Sequence, residues 1–252
     1  MSRDVNTTAI ILEGKNLTKR FGGLVAVDNV SIHLRKGELL GLIGANGAGK
    51  TTLFNILSGA MPYTEGEIYF KGRKINKPSA HKMCYSGLGR TYQICQPFGN
   101  LTVLENVMVG AFLRYTRTSD ARASAFNVLK RVGLDHRANA DGDSLTLPEL
   151  KRMEVARALA TKPEVLFLDE VVAGLNPTEV ERLMELIRSI NRDDHISIIM
   201  IEHVMRAIMN LSHRIVVLNQ GIKIAEGAPA EIAMNEKVIE SYLGGKRHAQ
   251  NR

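Results

Sequence analysis

The sequence predicts an α/β fold, because short apolar runs that suit buried strands alternate with segments of helical periodicity. Leu39–Ile43, Val165–Leu168 and Ile196–Ile201 are nearly continuous apolar runs. Such runs are typical of central parallel strands that are buried on both faces. Helical segments lie between these runs, so a sheet covered by helices is the expected architecture.

The N-terminal region predicts strands, followed by a strand–loop–helix unit. Val30, Ile32 and Leu34 alternate with polar residues, which is the period of a half-buried strand. The run Leu39–Ile43 then leads into a glycine-rich turn, and a helical pattern begins near Lys50.

The middle of the chain, about residues 90–160, predicts helices. Two sets of apolar residues recur at helical spacing: Leu104, Val107, Met108 and Ala111, then Ala125, Val128, Leu129 and Val132. We interpret this region as a helical insertion in the α/β domain.

The segment after Val165–Leu168 predicts a well-bounded helix. Asn176 suits the N-cap, Pro177 suits the first helical position, and Glu179 completes a pattern like a capping box. One apolar face follows, formed by Val180, Leu183, Met184, Ile187 and Ile190. Further on, Ile215–Leu218 and Lys223–Ala225 flank a short polar turn and predict a hairpin.

Composition excludes several classes of protein. The 252 residues contain no apolar stretch near the roughly 18 that a membrane-spanning helix needs, and the N-terminus lacks a signal-peptide pattern, so we expect a cytoplasmic protein. Cys84 and Cys95 have no metal-binding spacing and are expected to be free thiols. The net charge of +7 fits either an anionic partner or a solvated basic surface. Gly244–Arg252 resembles a frayed basic terminus.

A phosphate-binding loop is the strongest motif. Gly44–Thr51 matches the pattern G-x-x-x-x-G-K-[ST] in full and lies between a predicted strand and a predicted helix. Glycines let backbone amides approach phosphate oxygens, and the helix that follows directs its positive dipole end at the same anion. Lys50 supplies a cation for the β- and γ-phosphates, and the Thr51 hydroxyl can ligate Mg²⁺.

Polar side chains follow two of the predicted strands. Asp169 and Glu170 end the run from Val165, where Asp169 can hold Mg²⁺ through water and Glu170 can orient or deprotonate a water. His203 follows the run Ile196–Ile201, from which an imidazole can reach a γ-phosphate. The alternatives are a strand that leads into a solvated turn and a histidine that caps the next helix.

Together these residues resemble the nucleotide-binding subunits of ABC transporters over nearly the whole chain. The motifs stand in the family order: Phe21, Gly44–Thr52, Gln93, Leu145–Arg157, Val165–Glu170 and His203. The resemblance implies a P-loop NTPase (RecA-like) parallel-sheet core with an N-terminal antiparallel β subdomain and an α-helical subdomain. It implies one domain over residues 8–247, with the core at 9–90 and 162–247, the helical subdomain at about 91–161, and a basic tail at 248–252.

The resemblance also implies a role for each site residue, with ATP and Mg²⁺ as cofactors. Glu170, His203 and Gln93 would be catalytic, and Thr51, Gln93 and Asp169 would hold the metal. Phe21 would stack on adenine, with a core aromatic as the alternative. The remaining nucleotide contacts would come from Ala26, Gly44, Asn46, Gly47, Ala48, Gly49, Lys50, Thr51, Thr52 and Thr146.

Three positions depart from the family pattern. The signature, usually Leu-Ser-Gly-Gly-Gln, is Leu145–Glu149 with the sequence Leu-Thr-Leu-Pro-Glu, and Pro148 has no amide hydrogen for a phosphate across a dimer. Val171 replaces the usual proline, and Asn176 replaces the usual aspartate. The first departure puts in doubt whether this chain completes its partner's ATP site.

Four segments are similar to the ATPases of branched-chain amino acid uptake systems: Arg20–Ser31, Gly89–Gln93, Leu101–Val107 and Ala173–Pro177. This similarity implies integral-membrane permease subunits, a second ABC ATPase subunit and, indirectly, a solute-binding protein as partners, with no nucleic acid. It also implies a peripheral position on the inner face of the cell membrane. Two alternatives remain open, a soluble ABC ATPase acting on nucleic acid or translation and a regulatory ATP-binding half with weak turnover.

Overall fold

The computed structural model of the protein describes residues 9–91 and 96–247. The chain forms two compact units. The first contains the residues up to Lys82 and those from Ser197 onward, and the second contains Met83–Ile196.

The helices and strands alternate along much of the chain. The strands are β1 (Ile10–Phe21), β2 (Leu24–Arg35), β3 (Leu39–Ile43), β4 (Glu65–Phe70), β5 (Arg73–Lys74), β6 (Leu88–Arg90), β7 (Val165–Asp169), β8 (Ser197–Ile201), β9 (Arg214–Asn219) and β10 (Ile222–Gly227). The helices are α1 (Lys50–Leu57), α2 (Ala80–Ser86), α3 (Val103–Ala111), α4 (Thr118–Arg131), α5 (Leu147–Ala160), α6 (Pro177–Asp193), α7 (Met205–Leu211), α8 (Pro229–Ala233) and α9 (Glu236–Arg247). The predicted α/β class is therefore confirmed.

An antiparallel sheet in the first unit has the strand order β2-β1-β4-β5. β1 and β2 pair along their length and are joined by the turn at Gly22–Gly23, where Gly22 has a φ of 57°. Val30, Ile32 and Leu34 are buried in this sheet, as their alternation predicts. The implied N-terminal antiparallel β region is confirmed.

A second sheet in this unit contains parallel strands in the order β10-β9-β3-β8. β3 pairs in parallel with both β8 and β9, and every residue of β3 and β8 is buried. The predicted hairpin is confirmed, since β9 and β10 pair antiparallel around Gln220 and Gly221. Those two residues have φ values of 49° and 81°, which match the two-residue turn that favours right-handed strand twist.

The second unit combines a parallel strand pair, β6 and β7, with the helices α3, α4, α5 and α6. The predicted capping box of α6 is present, because Glu179 donates its N–H to the Asn176 side chain and accepts from the Asn176 N–H. Leu183, Met184, Ile187 and Ile190 are buried, whereas Val180 is only half-buried. The helical-subdomain limits of about 91–161 stay a prediction.

Three further expectations can be compared with the structure. Among the described residues, no helix combines the length and the apolar composition needed to cross a membrane. Cys84 is a half-buried free thiol whose pKa is raised by burial, and Cys95 lies outside the described residues. The frayed terminus expected from Gly244 is wrong in its starting point, because α9 continues to Arg247.

Candidate nucleotide-binding site

The phosphate loop lies between the end of β3 at Ile43 and the start of α1 at Lys50, as the motif requires. Gly44, Gly47 and Gly49 have φ values of 152°, 77° and 96°. A Cβ atom at Gly44 would lie 2.2 Å from the Leu218 carbonyl oxygen, and one at Gly49 would lie 2.4 Å from that of Ala26. The path of the loop therefore requires glycine at both positions.

Lys50 is buried at the base of this loop, with only 6% of its surface exposed. Its Nζ donates hydrogen bonds to the carbonyl oxygens of Gly44 (2.8 Å) and Ala45 (3.0 Å). Asn46 and Thr51 are exposed, so their side chains are accessible at the rim of the loop. Ala48 is buried and Thr52 is half-buried in the first turn of α1. The predicted loop residues all lie in the β3–α1 connection or at the start of α1: Gly44, Asn46, Gly47, Ala48, Gly49, Lys50, Thr51 and Thr52.

The start of β2 and the β9–β10 turn contact the loop. The Ala26 carbonyl is the group that a Cβ at Gly49 would meet. The Gly221 N–H donates to the Ala48 carbonyl (3.0 Å), and the Gly221 carbonyl accepts from Asp28 (2.9 Å). Ala26 therefore adjoins the loop, and its expected contact with the nucleotide stays a prediction.

Phe21 lies at the tip of the β1–β2 hairpin. Its surface is 46% exposed, so it is not a core aromatic. The ammonium of Lys19 lies 4.9 Å from the centre of its ring. An exposed aromatic face of this kind can stack on a purine base.

His203 is exposed and lies two residues after the end of β8. Leu42 on β3 is in register with Ile201 on β8, so Gly44 and His203 each lie two residues beyond a paired position. Because adjacent parallel strands end at the same sheet edge, the phosphate loop and His203 share that edge.

Tyr242 on α9 is a residue of this site that the sequence motifs do not indicate. Burial raises the pKa of Tyr242, and the nearby backbone N–H of Gly44 acts in the opposite direction, so the phenol lies next to the start of the phosphate loop. A tyrosine near the C-terminus has no pattern that connects it with a loop in the first fifth of the chain, so only the fold reveals the contact.

In the second unit, Asp169 ends the buried strand β7 and is 4% exposed. Its carboxylate accepts from Arg90 Nη2 at 3.3 Å, and its backbone N–H donates to the Thr91 hydroxyl at 3.1 Å. Arg90 ends the adjacent strand β6 and is missing from the predicted site. This ion pair holds the carboxylate at the end of β7, and carboxylate oxygen is a ligand type that Mg²⁺ uses in proteins.

Glu170 has a φ of 49°, which is rare for a residue with a side chain. The buried Lys151 on α5 donates from Nζ to the Glu170 carbonyl oxygen at 3.2 Å. Backbone strain of this kind clusters at functional sites, where the surrounding structure maintains it. The half-buried Glu170 is thus placed by its backbone just beyond the strand end.

Thr146 is the N-cap of α5, so the signature region Leu145–Glu149 begins a helix. The Glu149 carboxylate accepts hydrogen bonds from the Thr146 N–H and hydroxyl, each at 2.9 Å. Burial alone would raise the pKa of Glu149, but these bonds and the charge of Arg137 outweigh it and lower that pKa. Pro148 lies in the first helical turn, where a proline is tolerated.

Gln93 lies outside the described residues. The other predicted site residues divide between the units. Phe21, Ala26, the phosphate loop and His203 belong to the first, and Thr146, Asp169 and Glu170 belong to the second.

A glycine-rich loop between a parallel strand and a helix, with a buried lysine at its base, defines a P-loop nucleotide-binding protein. A family profile described as ABC transporter matches residues 27–173, and one described as branched-chain amino acid ATP-binding cassette transporter matches residues 223–248. The chain belongs to the ATP-binding cassette family of ABC transporters, and it is an ATPase.

Similar proteins agree with this assignment. The chain is 41% identical to the high-affinity branched-chain amino acid transport ATP-binding protein LivG of Salmonella typhimurium, over 93% of this chain and 98% of that protein. It is similar to the crystal structure of the ADP conformation of MJ1267, an ATP-binding cassette, with a TM-score of 0.85 and 30% identity over 94% and 100% of the two chains. A dimeric post-hydrolysis structure of the cassette MJ0796, bound to ADP and Pi, has a TM-score of 0.78 and 27% identity over 86% and 98%.

Proposed function

We propose that this chain powers the uptake of branched-chain or related apolar amino acids. The observation that carries the proposal is the match of residues 223–248 to the profile of branched-chain amino acid cassettes, because this segment lies outside the general ATPase match. The similarity to LivG over almost all of both chains supports it.

ATP binding follows from the phosphate loop. The amides of the loop and the N-terminus of α1 would face the β- and γ-phosphates, and Lys50 would exchange its carbonyl partners for phosphate oxygens. Phe21 would cover the adenine, with Ala26 beneath the loop. Phosphoryl transfer depends mainly on such positioning and charge stabilisation.

Hydrolysis would use further groups from each of the two units. Glu170 would accept a proton from the attacking water at its carboxylate, and Gln93 and His203 would orient that water and the γ-phosphate. The exposed hydroxyl of Thr51 and the carboxylate of Asp169 are each oxygen donors of the kind that Mg²⁺ takes, and this ion usually has few protein ligands besides phosphates. Bound Mg²⁺ would neutralise charge on the phosphate oxygens.

Two ATPase subunits would close head to tail, with the Thr146 region of one facing the phosphates held by the other. The dimeric MJ0796 structure supports dimerisation as a property of similar cassettes. In this chain Pro148 removes one N–H from the start of α5. We therefore infer an asymmetric pair, in which this chain is one of two different ATPase subunits on integral-membrane permeases at the inner face of the membrane.

Reconstitution tests the proposal. The chain is combined with the permease and second ATPase subunits that co-purify with it, and ATP-driven uptake of radiolabelled leucine, isoleucine and valine is compared with that of urea and short amides. We expect saturable uptake of the apolar amino acids only. Uptake of urea or amides without leucine would reject the proposed solute class, and co-purification with nucleic acid instead of membrane proteins would reject the transport role.

A further inference from the structure

A cavity of about 690 Å³ lies within the second compact unit and contains none of the residues assigned to ATP. Its volume falls in the range of small-molecule sites, about 300–1,000 Å³. One face of α4 forms a wall, and the segment Lys162–Pro163 between α5 and β7 lies across from it.

One end of this cavity is polar. The Nζ of Lys162 lies 4.7 Å from the centre of the Tyr115 ring. Hydrogen bonds from Lys162 and Ser124 lower the pKa of Tyr115, while the negative charge of Asp120 acts against them. Asp120 and Ser124 are four residues apart in α4 and share a face of that helix. A cation, a carboxylate and two hydroxyl groups therefore converge at this end.

Apart from Asn127, the remainder of the cavity is apolar or paired. Leu159, Pro163 and Ile196 are buried along its floor. At the far end the Nε of Arg131 donates to Asp194 at 3.0 Å, so these two charges neutralise each other. Among the lining residues that the structure describes, the charges outside an ion pair therefore lie at the end that holds Lys162 and Asp120.

A ligand that fits this arrangement carries a positive and a negative group close together, next to an apolar body. Asp120 and Lys162 are both exposed at this end, so a simple carboxylic acid would meet Lys162 but bring its charge near the like charge of Asp120, and a simple amine would meet Asp120 but lie near the like charge of Lys162. We propose that the cavity binds an apolar α-amino acid as its zwitterion. The carboxylate meets Lys162 and Ser124, the ammonium meets Asp120, and the side chain covers Leu159 and Pro163.

The cavity is connected to the ATPase residues through its own walls. Leu159 belongs to α5, whose N-cap is Thr146, and Lys162–Pro163 leads directly into β7, which ends at Asp169. Binding there can bias both elements. This inference rests on the proposed function, since the transported amino acid is the ligand that would accumulate on the ATPase side and slow its own uptake.

Isothermal titration calorimetry of the full chain with L-leucine tests the ligand class. Leucinamide lacks the carboxylate, 4-methylpentanoate lacks the ammonium, and glycine lacks the side chain. We expect each to bind at least about tenfold more weakly than leucine, since each loses about 1.4 kcal/mol or more of contact. Equal binding of leucine and 4-methylpentanoate, or no heat with leucine, would overturn the zwitterion site.

The matched variants are Lys162→Gln and Lys130→Gln. Each substitution removes one lysine ammonium that lies near an aromatic ring. Lys130 is 5.0 Å from the centre of the Phe126 ring and lies outside the cavity. Lys162→Gln should weaken leucine binding about tenfold and Lys130→Gln should not. Equal affinities contradict the site. If Lys162→Gln melts early, Ser124→Ala, which removes only a hydroxyl, gives the same test.

In the reconstituted transporter, leucine on the ATPase side should slow ATP-driven uptake by the wild type and by Lys130→Gln, but not by Lys162→Gln. The results can reject either proposal independently of the other. Leucine uptake without leucine binding to the chain would reject the cavity site alone. Leucine binding without leucine uptake removes the proposed transport function and keeps the site.

Discussion

The Nζ atom of Lys50 donates a hydrogen bond of 2.8 Å to the carbonyl oxygen of Gly44, the first residue of the phosphate loop. A second bond to Ala45, of 3.0 Å, holds the ammonium across the loop. The lysine is therefore prepositioned at the place where the motif brings phosphate oxygens, and its burial limits competition from water.

Replacing this lysine tests the loop directly. Lys50→Ala should reduce ATP affinity by about a hundredfold, because a buried charge-assisted contact is lost. Fluorescence titration with a labelled ATP analogue measures the effect. Lys36→Ala, at an exposed position, removes the same charge and should leave affinity unchanged. Normal affinity in Lys50→Ala would show that the nucleotide binds elsewhere.

Alanine substitutions at Gly49 and Gly47 distinguish the cost of backbone strain from the cost of a steric clash. Both glycines have positive φ, so alanine at either costs about 1–2 kcal/mol. A Cβ at Gly49 also lies 2.4 Å from the Ala26 oxygen, whereas one at Gly47 has no atom within 4 Å. Gly49→Ala should lose about a further 1–3 kcal/mol of unfolding free energy. Urea unfolding of both variants decides the point, and equal losses would contradict the loop geometry.

Much of the fold was predictable, because burial and periodicity act locally. The runs that become β3, β7 and β8 are nearly continuously apolar because both faces of these strands are covered, and the capping box at Asn176 needs only neighbouring residues. Contacts between distant segments were not predictable. The support of the phosphate loop by Ala26 and Gly221, and its contact with Tyr242, depend on β10, β2 and α9 folding back.

The backbone strain at Glu170 could not be predicted from the sequence either. Its φ of 49° and the bond from Lys151 to its carbonyl oxygen arise from tertiary structure. Similarly, the pair of Arg90 with Asp169 joins strand ends that are far apart along the chain. The sequence motif predicts the two carboxylates, whereas the contacts that position them depend on the tertiary structure.

Glu170→Gln tests the role of this carboxylate. The amide preserves size but cannot accept the proton of the attacking water, so turnover should fall by about 10²–10⁴ while ATP still binds. The assays are phosphate release by the reconstituted transporter and retention of ATP in a closed dimer by gel filtration. Glu181→Gln, exposed on α6, should leave both unchanged. Undiminished turnover in Glu170→Gln would assign the base to another residue.

His33 makes stability depend on pH. Burial lowers its pKa below 6.5, and the positive charge of Arg214 acts in the same direction, against the smaller effect of Glu226. Between 6.5 and the lower folded value, the unfolded chain binds more protons than the folded one. The free energy of unfolding therefore falls as the pH falls through this window, and the stabilisation is complete above it.

His33→Gln should flatten that slope, because the titrating group is gone. Urea unfolding from pH 7.5 to pH 5 measures it, and His81→Gln, at an exposed position on α2, is the matched variant that should keep the slope of the wild type. Carboxylates also make the stability depend on pH, but at lower pH than His33. One of them is Glu226, whose pKa is lowered by Lys223 and Arg214 against the effect of burial. If His33→Gln and wild type lose stability in parallel from pH 7.5 to pH 6, the imidazole is not the group that senses the pH.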